Sequence, residues 1–391
     1  MKNYDLAYTS NLQRRANKLL KYIKKLPENI VNKLLNKNLE NGNKLRYKVN
    51  NTKSIKFRFL GQGDECIVYR VDLFAIKFYI GKDNYDVHIL KKLRELYNNH
   101  TTINTVILYH SLVLYNHMVT IVNVISGTLD NWMKEITKPK YLLAKHLQNY
   151  NEEWILLMIQ ILYALYVLKK KLSLYHGDLT HRNILYIRLN KPVKIIYNID
   201  NNNIEFITDI IFIIADFGKS QSLIYENKEL PKHKKITNEE LKLYISNNKD
   251  LEHLSGLYNK SIVDYMYKFY PYNKLREILK KDKYIDNILK EKKEYLLNKD
   301  MKQPPPSYYI DIQLRREMCY HILENNYIDI ESIPNIKKEI LLPSKEIRNI
   351  LQELKSDISI MSKILELYKL LHKYNNLQKN DTNILKFNLQ I

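Results

Sequence analysis

Residues 176–186 read HGDLTHRNILY. Two histidines, two charged residues and an amide crowd into one short segment that then turns apolar. Asp178 and Asn183 stand five positions apart, just before an apolar run. A carboxylate there can accept a proton from an attacking hydroxyl. An amide oxygen nearby can hold a hard cation. A plain polar turn is the competing reading, because Asp and Asn favour turns for backbone reasons. The neighbouring stretches have to decide.

Upstream, residues 54–60 (SIKFRFL), 66–71 (CIVYRV) and 74–80 (FAIKFYI) alternate or are rich in β-branched and aromatic residues. They predict a small antiparallel sheet. The stretch GQGDE at 61–65 separates the first two strands, so Gly61 and Gly63 lie in a turn. Glycines there let backbone amides approach phosphate oxygens, although most paired glycines only mark turns. Lys77 lies in the third strand. Residues 85–96 (YDVHILKKLREL) predict a helix, and 105–115 and 117–125 predict two further strands. From residue 152 helices dominate, beginning with EEWILLMIQILYALYVLKKK. Downstream, IIADFGKS places Asp216 at the end of a hydrophobic strand. A second carboxylate there can chelate a cation that bridges phosphates.

Glycine turn, strand lysine, HGDLTHRN loop and DFG occur here in one order. Over residues 54–330 the chain resembles the eukaryotic-type protein kinases, whose motifs run in that order. The resemblance implies an α+β, bilobal protein-kinase-like fold. A small β-rich N-lobe would span 53–125 and a larger helical C-lobe 126–330. Residues 1–52 would form a basic helical extension and linker, and 331–391 a helical C-terminal extension. It also implies ATP and Mg2+ as cofactors. Asp178 would be the base, Asn183 and Asp216 the magnesium ligands, and Lys77 the contact to the phosphates. Gly61 and Gly63 would cover the nucleotide. Val68, Ala75 and Leu185 would sandwich the adenine, with 122–126 as the hinge. The carboxylate partner of Lys77 is Asp86 or Glu95. Asp86 shares the apolar helix face with Ile89, Leu90 and Leu93, whereas Glu95 points about 180° away, so Asp86 is preferred.

Several positions depart from the family pattern. Cys66 replaces the third loop glycine, and a packed thiol is the preferred reading of it. Gly177 stands where the family has an arginine that reads a phosphorylated loop, so activity without loop phosphorylation is expected. Thr180 replaces the usual lysine of Ser/Thr kinases, and Arg182 occurs where tyrosine kinases often carry Arg. Asp250 either anchors the loop backbone or is an exposed helix cap. The segment between Asn183 and Asp216 is longer than in ordinary kinases, and 191–218 reads as a strand hairpin with DNNN at its tip. That extension, with a composition rich in Asn, Lys, Ile and Tyr, is similar to the Ser/Thr kinases of large DNA viruses, including poxvirus virion kinases. An AT-rich unicellular eukaryote is the rival source. Two readings compete with a protein kinase: a small-molecule phosphotransferase of the aminoglycoside-kinase kind, to which Gly177 also points, and a pseudokinase or basic scaffold.

The composition narrows the partners. The 391 residues carry a formal net charge of +21, which favours acidic protein substrates, nucleic acid or an anionic membrane. The two cysteines, Cys66 and Cys319, make neither a disulfide framework nor a zinc site, so a reducing cytoplasmic compartment is expected, host cytoplasm or virion if the chain is viral. No run reaches about eighteen apolar residues, so no spanning helix is expected. Residues 11–26 form a basic amphipathic helix. Its stripe of Leu12, Ala16, Leu19, Ile23 and Leu26 is expected to pack on its own domain, with a membrane surface as the alternative. Residues 28–40 read as a second short helix, 41–53 as a polar linker, and the last sixty residues as helices.

Overall fold

In the computed structural model the described residues are 4–36, 44–50, 53–63, 66–136, 147–199, 202–228, 234–247, 249–269, 272–282, 284–297, 307–324, 346–347, 349–350, 360–374 and 383–389. The fold is α+β. Strands β1 (Lys44–Asn50), β2 (Lys53–Gln62), β3 (Cys66–Val71), β4 (Phe74–Tyr79), β5 (Leu108–Leu114) and β6 (His117–Asn123) form one antiparallel sheet, in the order β1-β2-β3-β4-β6-β5. Helix α3 (Tyr85–Asn98) follows β4, as its periodicity predicts. The β5–β6 hairpin turns through Tyr115 and Asn116, both at positive φ, the backbone that a two-residue hairpin loop demands.

Strand alternation gives this sheet two different faces. Ile55, Phe57, Ile67, Tyr69, Phe74, Ile76 and Phe78 point to one side and bury against helices α1 (Tyr4–Ile23) and α2 (Glu28–Leu35). The stripe Leu12, Ala16, Leu19, Ile23 and Leu26 is buried in that core. The α1 stripe therefore packs within the molecule and is not free to lie on a membrane. The polar linker expected at 41–53 is corrected as well. Residues 44–50 are a strand paired with β2, so the boundary drawn at 52/53 cuts between two paired strands. Residues 37–40 of the second helix expected at 28–40 lie outside the described residues.

The opposite face of the sheet, with Ala75 and Val68, joins a second and larger core. Its centre is helix α5 (Leu147–Leu172), preceded by the short strand β7 (Gly127–Thr128) and α4 (Leu129–Ile136). From Trp154 to Tyr166 every α5 residue is buried, the mark of a helix enclosed on all sides. Lys169, Lys170 and Lys171 end it where cations suit the helix dipole.

The expected hairpin is present, as β9 (Ile184–Ile199) and β10 (Asn202–Ile214), with Asp200 and Asn201 of its tip outside the described residues. It packs on α5 through a buried polar knot. Tyr163 and Tyr197 stack at 3.8 Å. The Tyr197 hydroxyl donates to Asn104 Oδ1 at 2.7 Å, and Asn104 Nδ2 donates to Gln160 Oε1 at 3.1 Å. Gln160 in turn accepts from the Phe212 N–H at 3.0 Å. Such a knot fixes register because each buried polar group has one arrangement that satisfies it.

Helices α6 (Asn238–Ser246), α7 (Lys249–Phe269), α8 (Tyr272–Ile278), α9 (Ile285–Leu297) and α10 (Ser307–Glu324) complete the helical part. Helix α11 (Ile360–Tyr374) packs on α5, with Ile364 and Leu367 buried. The expectation that the last sixty residues are all helical is corrected. Strand β12, Asn383–Leu389, runs parallel to β9, from Asn383 opposite Val193 to Leu389 opposite Ile199. The 330/331 boundary lies outside the described residues. Among the described residues no helix is long and apolar enough to cross a membrane.

Candidate active site

The loop 176–183 runs from β8 (Leu174–Tyr175), which pairs with β11 (Gln221–Ser222), to the start of β9. Asp250, near the start of α7, holds its entrance. Its carboxylate accepts the His176 N–H at 2.8 Å and the Gly177 N–H at 3.1 Å. Asp250 is only 5% exposed, so it is the loop anchor and not an exposed cap. Burial pushes its carboxyl above the ordinary value, against the pull of His176 and the two N–H groups.

His176 joins this loop to the DFG turn. Its Nδ1 accepts from the Asp178 N–H at 3.3 Å, which leaves the proton on Nε2 to meet the Ala215 carbonyl at 3.0 Å. Its ring also meets Phe217 edge-on at 5.0 Å. Gly177 has φ +75°, and a Cβ there would come 3.0 Å from the Lys219 carbonyl. An arginine here would strain the backbone and press on that carbonyl.

Asp178 is partly exposed, and its Oδ2 receives two donors: Asn183 Nδ2 at 3.2 Å and Lys219 Nζ at 2.8 Å. Asn183 Nδ2 also donates to the Asp178 carbonyl at 2.8 Å. Both bonds use the amide nitrogen, so the amide oxygen, the atom a hard cation takes, stays outside them. Asp216 is exposed and sits at φ +66°, left-handed backbone that costs a non-glycine residue about 1 kcal/mol or more. Ser220 Oγ donates to the Phe217 carbonyl at 2.7 Å, and Asn227 Nδ2 to the Gly218 and Ser220 carbonyls at 2.9 Å each. These bonds hold the strained turn. Among the described residues no group of three or more His, Cys, Asp or Glu assembles. Magnesium would fit here on Asn183 Oδ1 and Asp216, completed by phosphate oxygens and water, which is how magnesium is commonly held beside a nucleotide.

Lys77 faces the same side of the sheet as Val68 and Ala75. Its ammonium meets Asp86 Oδ2 at 3.0 Å. The alternative, Glu95, is exposed on the far side of α3 beside Lys92. Asp86 Oδ2 also accepts the Tyr79 hydroxyl at 2.5 Å, and Oδ1 accepts the Phe217 N–H at 2.9 Å. Burial alone would raise the Asp86 carboxyl, but Lys77, Tyr79 and the Phe217 N–H hold it below the ordinary value. Burial likewise opposes the Lys77 charge, but Asp86, Tyr79, Cys66 and Asp216 together raise the ammonium well above its usual value.

Gly61 pairs with Val68, and Val68 with Lys77, which puts the glycine turn beside the lysine. Neither Gly61 nor Gly63 has a positive φ, and a Cβ on either would meet nothing within 4 Å. The fold itself therefore does not require glycine at these two places. Ala75 belongs to the α5-centred core, and Val68 and Leu185 are half-buried against it. In the expected hinge, Val124 N–H donates to Leu73 O at 3.3 Å and Ser126 N–H to Tyr186 O at 2.8 Å.

Sequence reasoning missed Lys219, Tyr79 and Asn227. The missing lysine at Thr180 was a usable sign, because it asks which other cation reaches Asp178. Tyr79 and Asn227 had no comparable sign, since their roles rest on contacts with Asp86 and with the Gly218 carbonyl that no residue pattern announces. The chain matches no protein-family model, and no curated protein matches it.

Proposed function

We propose that the chain is an ATP- and Mg2+-dependent protein kinase, bilobal in arrangement, that transfers the γ-phosphate of ATP to Ser/Thr hydroxyls of cytoplasmic protein substrates. The observation that carries this reading is the Asp86 carboxylate, which binds the Lys77 ammonium with one oxygen and the Phe217 N–H with the other. One buried group thus ties the strand lysine to the DFG turn. His176 ties that turn to the Asp178 loop. Phosphoryl transfer asks a protein chiefly for positioning and charge neutralisation, and this chain of contacts provides positioning.

In this reading Asp178 orients the acceptor hydroxyl and takes its proton. Asn183 and Asp216 hold magnesium, which supplies charge neutralisation on the phosphates. Lys77 grips phosphate oxygens, and the bare backbone at Gly61 and Gly63 covers them. Val68, Ala75 and Leu185 offer apolar walls to the base. The steric need for Gly177 agrees with an activity that does not wait for loop phosphorylation.

Gly177 also favours a second reading, a small-molecule phosphotransferase, and a substrate screen with casein and amino-sugars separates the two. Thermal unfolding with and without Mg-ATP tests the shared premise. A ligand at 100 times its Kd adds about 2.7 kcal/mol, which moves Tm by several degrees. That rise is expected in the native chain and is expected to shrink in Lys77→Met. No rise with any nucleotide would favour a basic scaffold instead.

A further inference from the structure

The sheet face that bears Lys77 continues outward as a field of cations. On β1, β2 and β3 the face turned away from the α1–α2 core carries Lys44, Arg46 and Lys48, then Lys56 and Arg58, then Arg70, and all six are exposed. The strand register sets like charges opposite one another: Lys44 against Arg58, Arg46 against Lys56, and Arg58 against Arg70. Such pairs repel. Among the described residues the nearest acidic neighbour in sequence, Asp72, gives its carboxylate to Arg15 at 2.6 Å, and Arg70 reaches only its backbone oxygen.

Protection of an exposed edge accounts for charge on β1, the outermost strand. It does not account for Lys56, Arg58 and Arg70, whose strands are paired on both sides. A solvated face needs no array of opposed like charges, since alternating signs would serve it better. The array asks for an anionic partner.

Its place and shape say which kind. One row across the sheet runs Lys44, Arg58, Arg70, Ala75, so the cations reach the wall of the candidate nucleotide site. With strands about 4.8 Å apart and alternate residues about 6.7 Å apart, the patch covers on the order of 10 by 13 Å. Leu60 and Val68 adjoin it, and these positions supply no aromatic ring on which a nucleic-acid base would stack. Nor do they supply the broad apolar flank that buries in a bilayer. Carboxylates on alternate residues of an extended peptide have the spacing of the cations.

We propose that this face docks an acidic, extended segment of the protein substrate and leads it toward the cleft. That the segment belongs to a substrate rests on the kinase reading; the docking itself does not.

The test uses the full chain and a variant with Arg46→Glu, Lys56→Glu and Arg58→Glu. A second variant with Gln at the same three positions guards against misfolding. Fluorescence anisotropy with a labelled Glu-rich peptide reads binding directly, beside a duplex DNA of mixed sequence and phosphatidylserine vesicles. The native chain is expected to bind the peptide, and both variants to bind it at least about tenfold more weakly with an unchanged melting profile. Peptide binding that is absent, or that survives both variants, would overturn the proposal. So would duplex or vesicle binding that exceeds peptide binding and is lost in the variants. With casein the variants are expected to raise KM for protein and leave KM for ATP alone. If no substrate is phosphorylated, the kinase reading fails while the anisotropy result still decides the docking.

Discussion

Lys219 is the side chain that most changes the reading of the HGDLTHRN loop. It enters from beyond the DFG turn and places its ammonium 2.8 Å from Asp178 Oδ2. Position 180, where the proposed Ser/Thr kinase reading would expect a lysine, is Thr, and the ammonium beside Asp178 is that of Lys219. In the proposed kinase reading, a cation beside Asp178 can stabilise the phosphoryl group as charge spreads over its oxygens. Lys219→Met is therefore expected to lower kcat by about 100-fold while Mg-ATP still raises Tm as in the native chain. Adding Thr180→Lys to that variant is expected to restore part of the rate. A single-substitution rate equal to the native one would show that Lys219 takes no part. The residues in contiguous motifs were legible from sequence: the faces of α3 favoured Asp86 over Glu95, and the ion pair with Lys77 follows that face. Lys219 was not, because nothing local says where a half-exposed lysine points.

Elements were legible where one physical signal dominated. β2 to β6 and α3 show clear periodicity, and α5 is apolar all round. β1 shows the same alternation, Leu45, Tyr47 and Val49 against Lys44, Arg46 and Lys48, but so many cations made it look like linker. β12 was illegible for another reason: its partner β9 lies far back along the chain, and a parallel pairing of that range leaves no local mark. The contact between α4 and α5 also sets a pH dependence. Trp132 Nε1 donates to Glu153 Oε2 at 3.0 Å, and burial pushes the Glu153 carboxyl up to about 7 from an ordinary 4.5, despite the pull of Arg188 and Trp132. Between these values the folded chain holds a proton that the unfolded chain has lost. The sign follows: the Glu153 contribution to stability falls as pH rises from 4.5 to about 7 and is level above that. Urea unfolding between pH 5 and 8 is expected to show this slope, and Glu153→Gln to flatten it and to be the more stable protein at pH 8. A Gln variant with the native slope would exclude Glu153 as its source.

The molecule as a whole has two cores that share one sheet. One face is closed by α1 and α2, and the other meets the α5-centred core, with Lys77, Asp86, Phe217 and His176 linked in sequence at that junction. The basic N-terminal helix thus serves as one wall of a core, and its charges lie on the outside. Contacts through Asp86 and His176 thus connect a lysine to a candidate base and a candidate pair of cation ligands, the groups that the proposed phosphoryl transfer needs. The most direct test is transfer of labelled γ-phosphate from ATP to casein by the purified chain, with Asp178→Asn beside it. Label on Ser or Thr of the protein, lost in the variant while Mg-ATP still raises its Tm, is the predicted result. No transfer by the native chain, or equal transfer by both, would contradict it.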